Sequence, residues 1–188
     1  MINGRAPGVG ETTAGENSKL EDRPTMRRKT QFGSLEHYEK GGVQAINDDP
    51  RNYVFSNIFE VAAHSEPYEK VAVARNLKYV LEAVRAEGTS PWYTASHDES
   101  ALVMDGEVEI RLIKLDTPAV AEGHEGTTTL EGTPQGRRMG HVVARRGHMA
   151  LLPKGAAYQF HAARPGVILL QTIQGDLTLE RWKDICQK

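Results

Sequence analysis

The sequence is poor in sulfur, in aromatic side chains and in uninterrupted apolar runs. Its single cysteine, Cys186, excludes an intrachain disulfide and fits a reducing compartment, where it reads as an inert thiol near the C-terminus. No stretch approaches the ~20 consecutive apolar residues that cross a bilayer. The first residues also lack the apolar core of a secretory signal, so the expected location is the cytoplasm. Charge of neither sign dominates. Lys and Arg number 23 against 25 Asp and Glu, a net charge of −2, so there is no electrostatic case for nucleic acid or an anionic membrane as partner. There is no GxGxxG, no phosphate loop, no nucleophile elbow and no internal repeat.

The aromatic residues, 6 % of the chain, are absent from residues 1–30, which hold Gly, Thr, Glu and Asn with Pro7 and Pro24. Such a segment cannot bury enough apolar area to offset its ordering entropy, and it reads as a flexible tail. Its basic run Arg27-Arg28-Lys29 is either a solvated patch or a docking contact for an acidic partner. Residues 31–50 gain Phe32, Leu35, Tyr38, Val43 and Ile46 and read as an ordered arm ending at the turn signal Asp48-Asp49-Pro50. Residues 51–188 form the expected domain, at a length that most simply holds one core.

Within that domain, Asn52 to Ala63 is rich in β-formers and predicts a strand, and Val71 to Val73 continues as strand or extended chain. Leu77 to Arg85 is ambiguous. Leu77, Val80, Leu81 and Val84 sit at helical spacing, while Tyr79-Val80-Leu81 suits a buried strand. Gly88-Thr89-Ser90-Pro91 is a turn. The apolar run Ala101 to Met104 ends in Asp105-Gly106, and Glu107 to Leu112 alternates with period two; an Asp-Gly pair between two such runs predicts a hairpin. Asp116 to Gly136 has no sustained periodicity and reads as a long loop. Gly147, Pro153 and Gly155 punctuate two short strands, His148 to Leu152 and Ala156 to Ala162. Val167 to Leu170 is apolar on both sides, so its strand is central or faces a partner. Thr178 is placed to cap a last helix through Cys186, with Trp182 and Ile185 on one face.

The two glycine-marked stretches resemble the paired signatures of the cupin family. The first signature is G-x5-H-x-H-x(3,4)-E-x6-G, and Glu99 and Gly106 have its spacing. The second is G-x5-P-x-G-x2-H-x3-N, and Gly147, Pro153 and Gly155 fall on it. The resemblance implies an all-β fold: a single cupin barrel of the double-stranded β-helix or jelly-roll type, with an extended N-terminal arm and a short C-terminal helix. It also implies a strand at Leu77 to Arg85. The metal ligands do not match. Counting back from Glu99 puts the histidine positions at Trp92 and Thr94; counting on from Gly155 puts the third at Tyr158 and the usual Asn at Ala162. Of four usual ligands Glu99 alone remains, and one carboxylate is a poor iron or zinc site.

Residues two apart on a strand share a face, so His97 and Glu99 can both point into the barrel beside Tyr158 and Trp92. Two readings compete. One is a rearranged metal site with His148 or His161 as third ligand, although His161 lies an odd number of residues from Tyr158. The other, which we favour, is a polar network of His97, Glu99 and Tyr158 without metal. His37, His64, His124 and His141 have no partner at ligand spacing. Trp92 and Tyr93 are either filler at the barrel mouth or a wall for a planar substrate or subunit interface.

Residues 52–173 are further similar to the small subunit of two-component hydroquinone 1,2-dioxygenase. The likeness is carried by Tyr53 to Ala62, Arg85 to Tyr93, His97 to Val108, Arg137 to Gly140 and Leu151 to Tyr158. It implies a hetero-oligomer with a larger cupin-type subunit that holds Fe(II) and cleaves an aromatic substrate with O2, while this chain binds no metal and supplies no catalytic residue. Trp92 and Tyr93 are then the candidate pocket or interface residues. The alternatives are an autonomous metal-dependent cupin oxygenase or isomerase using His97 and Glu99, and a non-catalytic cupin that binds an aromatic ligand.

Overall fold

The structure, a computed structural model, describes residues 33–38 and 57–182. The description concerns the unit Phe32–Lys188. The tail expected over residues 1–30 and most of the arm expected over residues 31–50 lie outside the described residues. Among the described residues one short helix, α1 (Ile58–Ala63), precedes ten strands. These are β1 (Lys70–Asn76), β2 (Tyr79–Thr89), β3 (Trp92–Ala95), β4 (Glu99–Asp105), β5 (Glu107–Leu115), β6 (Thr127–Leu130), β7 (Gly136–Arg145), β8 (Met149–Leu152), β9 (Ala156–Ile173) and β10 (Thr178–Leu179). The chain is all-β and has the cupin barrel architecture that the glycine spacing implied.

The spine of the barrel is β9, 18 residues long, because its two halves serve two sheets. Its N-terminal half lies between β3 and β5, giving the order β6-β3-β9-β5-β7. Its C-terminal half lies between β2 and β4, giving the order β10-β1-β2-β9-β4-β8. Val167, Ile168 and Leu170 are buried there, as expected of a central strand. Inward-facing residues of both sheets make one core: Val84, Tyr93, Val103, Val108, Ile110, Leu152, Tyr158, Phe160, Ile168 and Leu170.

Four local expectations are corrected. The β-rich run ending at Ala63 becomes helix α1 at its end, while residues 51–56 lie outside the described residues. Asn57 caps that helix, its side chain accepting from the Phe59 and Glu60 amides, and Phe59, Val61 and Ala62 bury one face. Packing of that face on β1, β2 and β9 overrides strand propensity.

Asp105-Gly106 does not close a hairpin. β4 and β5 do not pair with each other; they run on as successive partners of β9, Ser100 to Asp105 along Gln171 to Val167 and Glu109 to Lys114 along His161 to Ala156. The left-handed Gly106 (φ 76°) bends this ribbon instead of reversing it. A Cβ there would lie 3.0 Å from the Gly166 Cα, so the two bends are packed on each other.

The long loop contains β6, whose three threonines pair with β3. Thr178 caps no helix. It lies in β10, parallel to β1 opposite Lys70, and its hydroxyl donates to Glu82. Trp182 is helical and buried, while Ile185 and Cys186 lie outside the described residues. The ambiguous run settles as strand, since β2 begins at Tyr79 just after the left-handed Leu77 (φ 56°). Among the described residues no helix is long and apolar enough to cross a membrane.

Candidate functional site

Glu99 opens β4 just after the turn at Ser96 to Asp98. That turn is tied down from outside: the Asp98 carboxylate accepts from the Lys154 amide at 2.7 Å, and the Gly155 amide donates to the Ala95 carbonyl at 3.0 Å. The two cupin turns therefore hold each other, and Glu99 is delivered into the barrel, 1 % exposed.

Three hydroxyls converge on it. Thr127 donates to Oε1 at 2.5 Å and Thr172 to the same oxygen at 2.6 Å, while Tyr158 donates to Oε2 at 2.6 Å. Both carboxylate oxygens are thus saturated by neutral donors, which is how a buried carboxylate is kept without a counter-cation. Burial, with the adjacent Glu99 charge and hydrogen bond, drives the Tyr158 phenol well above its usual range.

His97 reaches this group indirectly. Its Nε2 lies 2.9 Å from the Thr172 hydroxyl and 3.3 Å from the Ile173 amide, but 4.0 Å from Glu99 Oε1. Its Nδ1 is buried without a partner. A cleft of about 220 Å³ runs past it, lined by Tyr79, Asp98, Ser100 and Gln171.

The other histidines considered as ligands are elsewhere. His148 accepts from the Arg145 amide through Nδ1, and His161 meets the Thr89 hydroxyl at 2.8 Å. Among the described residues no three His, Cys, Asp or Glu side chains converge. A cupin iron needs several imidazole or carboxylate donors with free lone pairs. Here the one carboxylate at the ligand position is occupied by three hydroxyls, so the donor set does not fit that metal.

The register moves the aromatic pair by one residue from the count made on Glu99. Tyr93, not Trp92, stands opposite Tyr158 on β9, with ring centroids 5.6 Å apart. Successive side chains alternate, so Tyr93 is buried in the core and Trp92 lies on the outer face of its sheet, half-buried and opposite Leu130. The counting rule permits three or four residues before the glutamate, and strand pairing selects three. Thr127 and Thr172 were not singled out from the sequence. The available signal was weak: three consecutive threonines in an otherwise aperiodic stretch, and a polar residue continuing the inward row of Ile168 and Leu170.

No family model matches the chain, and no curated protein does. Solved structures do. The chain is 54 % identical to a chain of hydroquinone 1,2-dioxygenase PnpCD in complex with Cd2+ and 4-hydroxybenzonitrile, over 87 % of this chain and 99 % of that one, with a TM-score of 0.77. It is 54 % identical to a chain of hydroquinone 1,2-dioxygenase from Sphingomonas sp. TTNP3 with 4-hydroxybenzoate bound, over 86 % and 98 %, with a TM-score of 0.78. A second chain, in the PnpCD structure in complex with Fe3+, matches at 10 % identity over 79 % of this chain but 42 % of that one, with a TM-score of 0.53. That likeness is one of fold alone, to a chain nearly twice as long.

Proposed function

Because the chain belongs to the small-subunit family of hydroquinone 1,2-dioxygenase, within the cupin superfamily, we propose that it is the non-metal-binding subunit of such an enzyme. In this reading a larger cupin subunit holds Fe(II) and cleaves the ring of a hydroquinone with O2, giving a 4-hydroxymuconic semialdehyde. This chain stabilises that subunit and walls its substrate pocket. The observation that carries the reading is the saturated carboxylate. Glu99 stands where a cupin keeps its metal ligand, yet it spends both oxygens on Thr127, Thr172 and Tyr158. The longer chain of the same fold in PnpCD gives the iron another place to reside.

Trp92 is the residue assigned to the partner. It is half-buried on an outer face, and indoles of that kind supply contact area at small entropic cost. Tyr93, sealed in the core, acts behind it by fixing the strand. Apolar side chains left open on the edge strands, Val142 and Val143 on β7 and Met149 and Leu151 on β8, offer further area for a subunit.

The test is co-expression with a larger cupin that retains its histidines. Iron content is measured on the chain alone and on the complex, together with hydroquinone-dependent O2 uptake. Iron and activity found in the complex and not in the chain alone are expected. Stoichiometric iron in the isolated chain, lost on His97→Ala or Glu99→Ala, would instead favour the autonomous metal-dependent cupin.

A further inference from the structure

Residues 33–38 form a small turn of their own, outside every sheet. The Ser34 amide donates to the His37 carbonyl at 2.8 Å, and the His37 amide returns a bond to the Ser34 carbonyl at 3.2 Å. The Ser34 hydroxyl oxygen accepts from that same amide at 3.1 Å. Among the described residues one hydrogen bond joins this turn to the barrel: the Leu35 amide donates to Asp105 Oδ2 at 2.9 Å. The rest of the contact is apolar. Leu35 and Tyr38 pack against the cluster of Phe59, Ala62 and Val167. Gly33 lies so close to Phe59 that a Cβ would fall 2.7 Å from a ring carbon.

The barrel's half of this contact is built without the turn. Asp105 ends β4, and its Oδ1 is fixed by the Gly106 amide at 3.0 Å and the Arg146 guanidinium at 2.8 Å. Oδ2 is left as the acceptor for Leu35, held by bonds that do not involve the turn. Val167 is held likewise, by its pairing with Arg85 on β2 and Asp105 on β4. The turn itself has no buried residue, whereas Val167 and Ile168 beneath it are fully buried on a strand bonded on both sides. A segment with few buried contacts and one long-range hydrogen bond opens before the body it rests on. Ser34, Leu35 and Glu36 also line one side of a cleft of about 800 Å³, whose other walls include Arg85, Val143 and Arg164. We propose that residues 33–38 are a strap, clasped by Asp105, that opens as a unit while the barrel stays folded and so removes one wall of this cleft. Release parts one charge-assisted hydrogen bond and one apolar contact, and no strand leaves its sheet. The strap is independent of the dioxygenase reading, since both halves of the contact belong to this chain.

The test is amide hydrogen exchange of the full chain, followed by NMR at Leu35 and at Ile168 and Leu170 on β9. In the native chain Leu35 should exchange faster than the β9 amides but slower than a free amide. A native Leu35 amide exchanging at the free rate would mean that the turn is not docked, and it would overturn the proposal. Asp105→Asn leaves a neutral acceptor in place of the carboxylate. It should speed exchange at Leu35 by about tenfold or more and leave the β9 amides unchanged. No change at Leu35 would overturn the assignment of the clasp to Asp105. Equal acceleration at Leu35 and on β9 would show one cooperative unit in place of a separate strap. Should Asp105→Asn not fold, Gly33→Ala takes its place, since it drives a methyl group into the Phe59 ring without touching the carboxylate. Faster exchange at Leu35 alone in that variant supports the strap, and no change or acceleration on β9 as well overturns it.

Discussion

Tyr158 donates its hydroxyl to Glu99 at 2.6 Å, joining residues that come from the two cupin turns, 59 positions apart in sequence. The bond engages the Glu99 carboxylate inside the barrel. It also makes the site measurable, because each partner can be altered without changing its shape.

Tyr158→Phe removes one of three donors to a fully buried carboxylate. Hydrogen bonds to charged groups contribute about 1.5–3 kcal/mol, so the variant should lose about that much unfolding free energy in urea. A loss below about 0.5 kcal/mol would mean that Thr127 and Thr172 alone satisfy Glu99.

Alkaline pH should unfold the barrel before its tyrosines titrate. Burial pushes Tyr68 and Tyr93 up to about 12 and, with the adjacent Glu99, raises Tyr158 well above the value of about 10 of a free phenol. The folded chain therefore holds its phenolic protons over a range in which the unfolded chain releases them. Stability from these groups is complete below pH 10 and falls as pH rises through about 12. Phenolate absorbance and far-ultraviolet circular dichroism, followed together, should change in one step; phenolate appearing first in a folded chain would contradict the burial.

Two glycines with similar backbone angles should respond differently to alanine. Gly106 (φ 76°) has Gly166 Cα 3.0 Å and Pro165 O 3.3 Å from the added Cβ, whereas Gly155 (φ 70°) has nothing within 4 Å. Gly155→Ala should cost about 1 kcal/mol, the strain of a left-handed residue alone. Gly106→Ala should cost more, on the order of 2–3 kcal/mol, because two packed bends must separate. Equal melting temperatures for the two variants would remove the ribbon-bend account.

Trp92→Ala tests the assignment of that residue to the partner. Its side chain is half-buried, so the isolated chain should lose on the order of 1 kcal/mol or less. In the reconstituted enzyme, assembly should weaken or KM for hydroquinone rise by about tenfold, as loss of a buried aromatic anchor costs 1 kcal/mol or more. Unchanged assembly, KM and kcat would place Trp92 outside both pocket and interface.

Much of the barrel was legible because glycine and proline positions and strand period are local properties. Gly106, Gly147, Pro153 and Gly155 mark turns through backbone sterics that no distant residue alters, and the inward rows of β5 and β9 follow from alternation. The absence of histidine from the ligand positions of the cupin pattern is equally local, since it is read from spacing alone. What the sequence left open depended on which strands lie side by side. Thr127 and Thr172 reach Glu99 across 28 and 73 residues only because β6 pairs with β3 and β9 runs past β4. Asp105-Gly106 has the composition of a hairpin, and only the presence of β9 along both flanking strands turns it into a bend. Trp92 and Tyr93 are adjacent aromatics with no local feature to say which one faces inward. Pairing of Tyr93 with Tyr158 decides it, since a shift of one residue in a strand exchanges the buried face for the outer one.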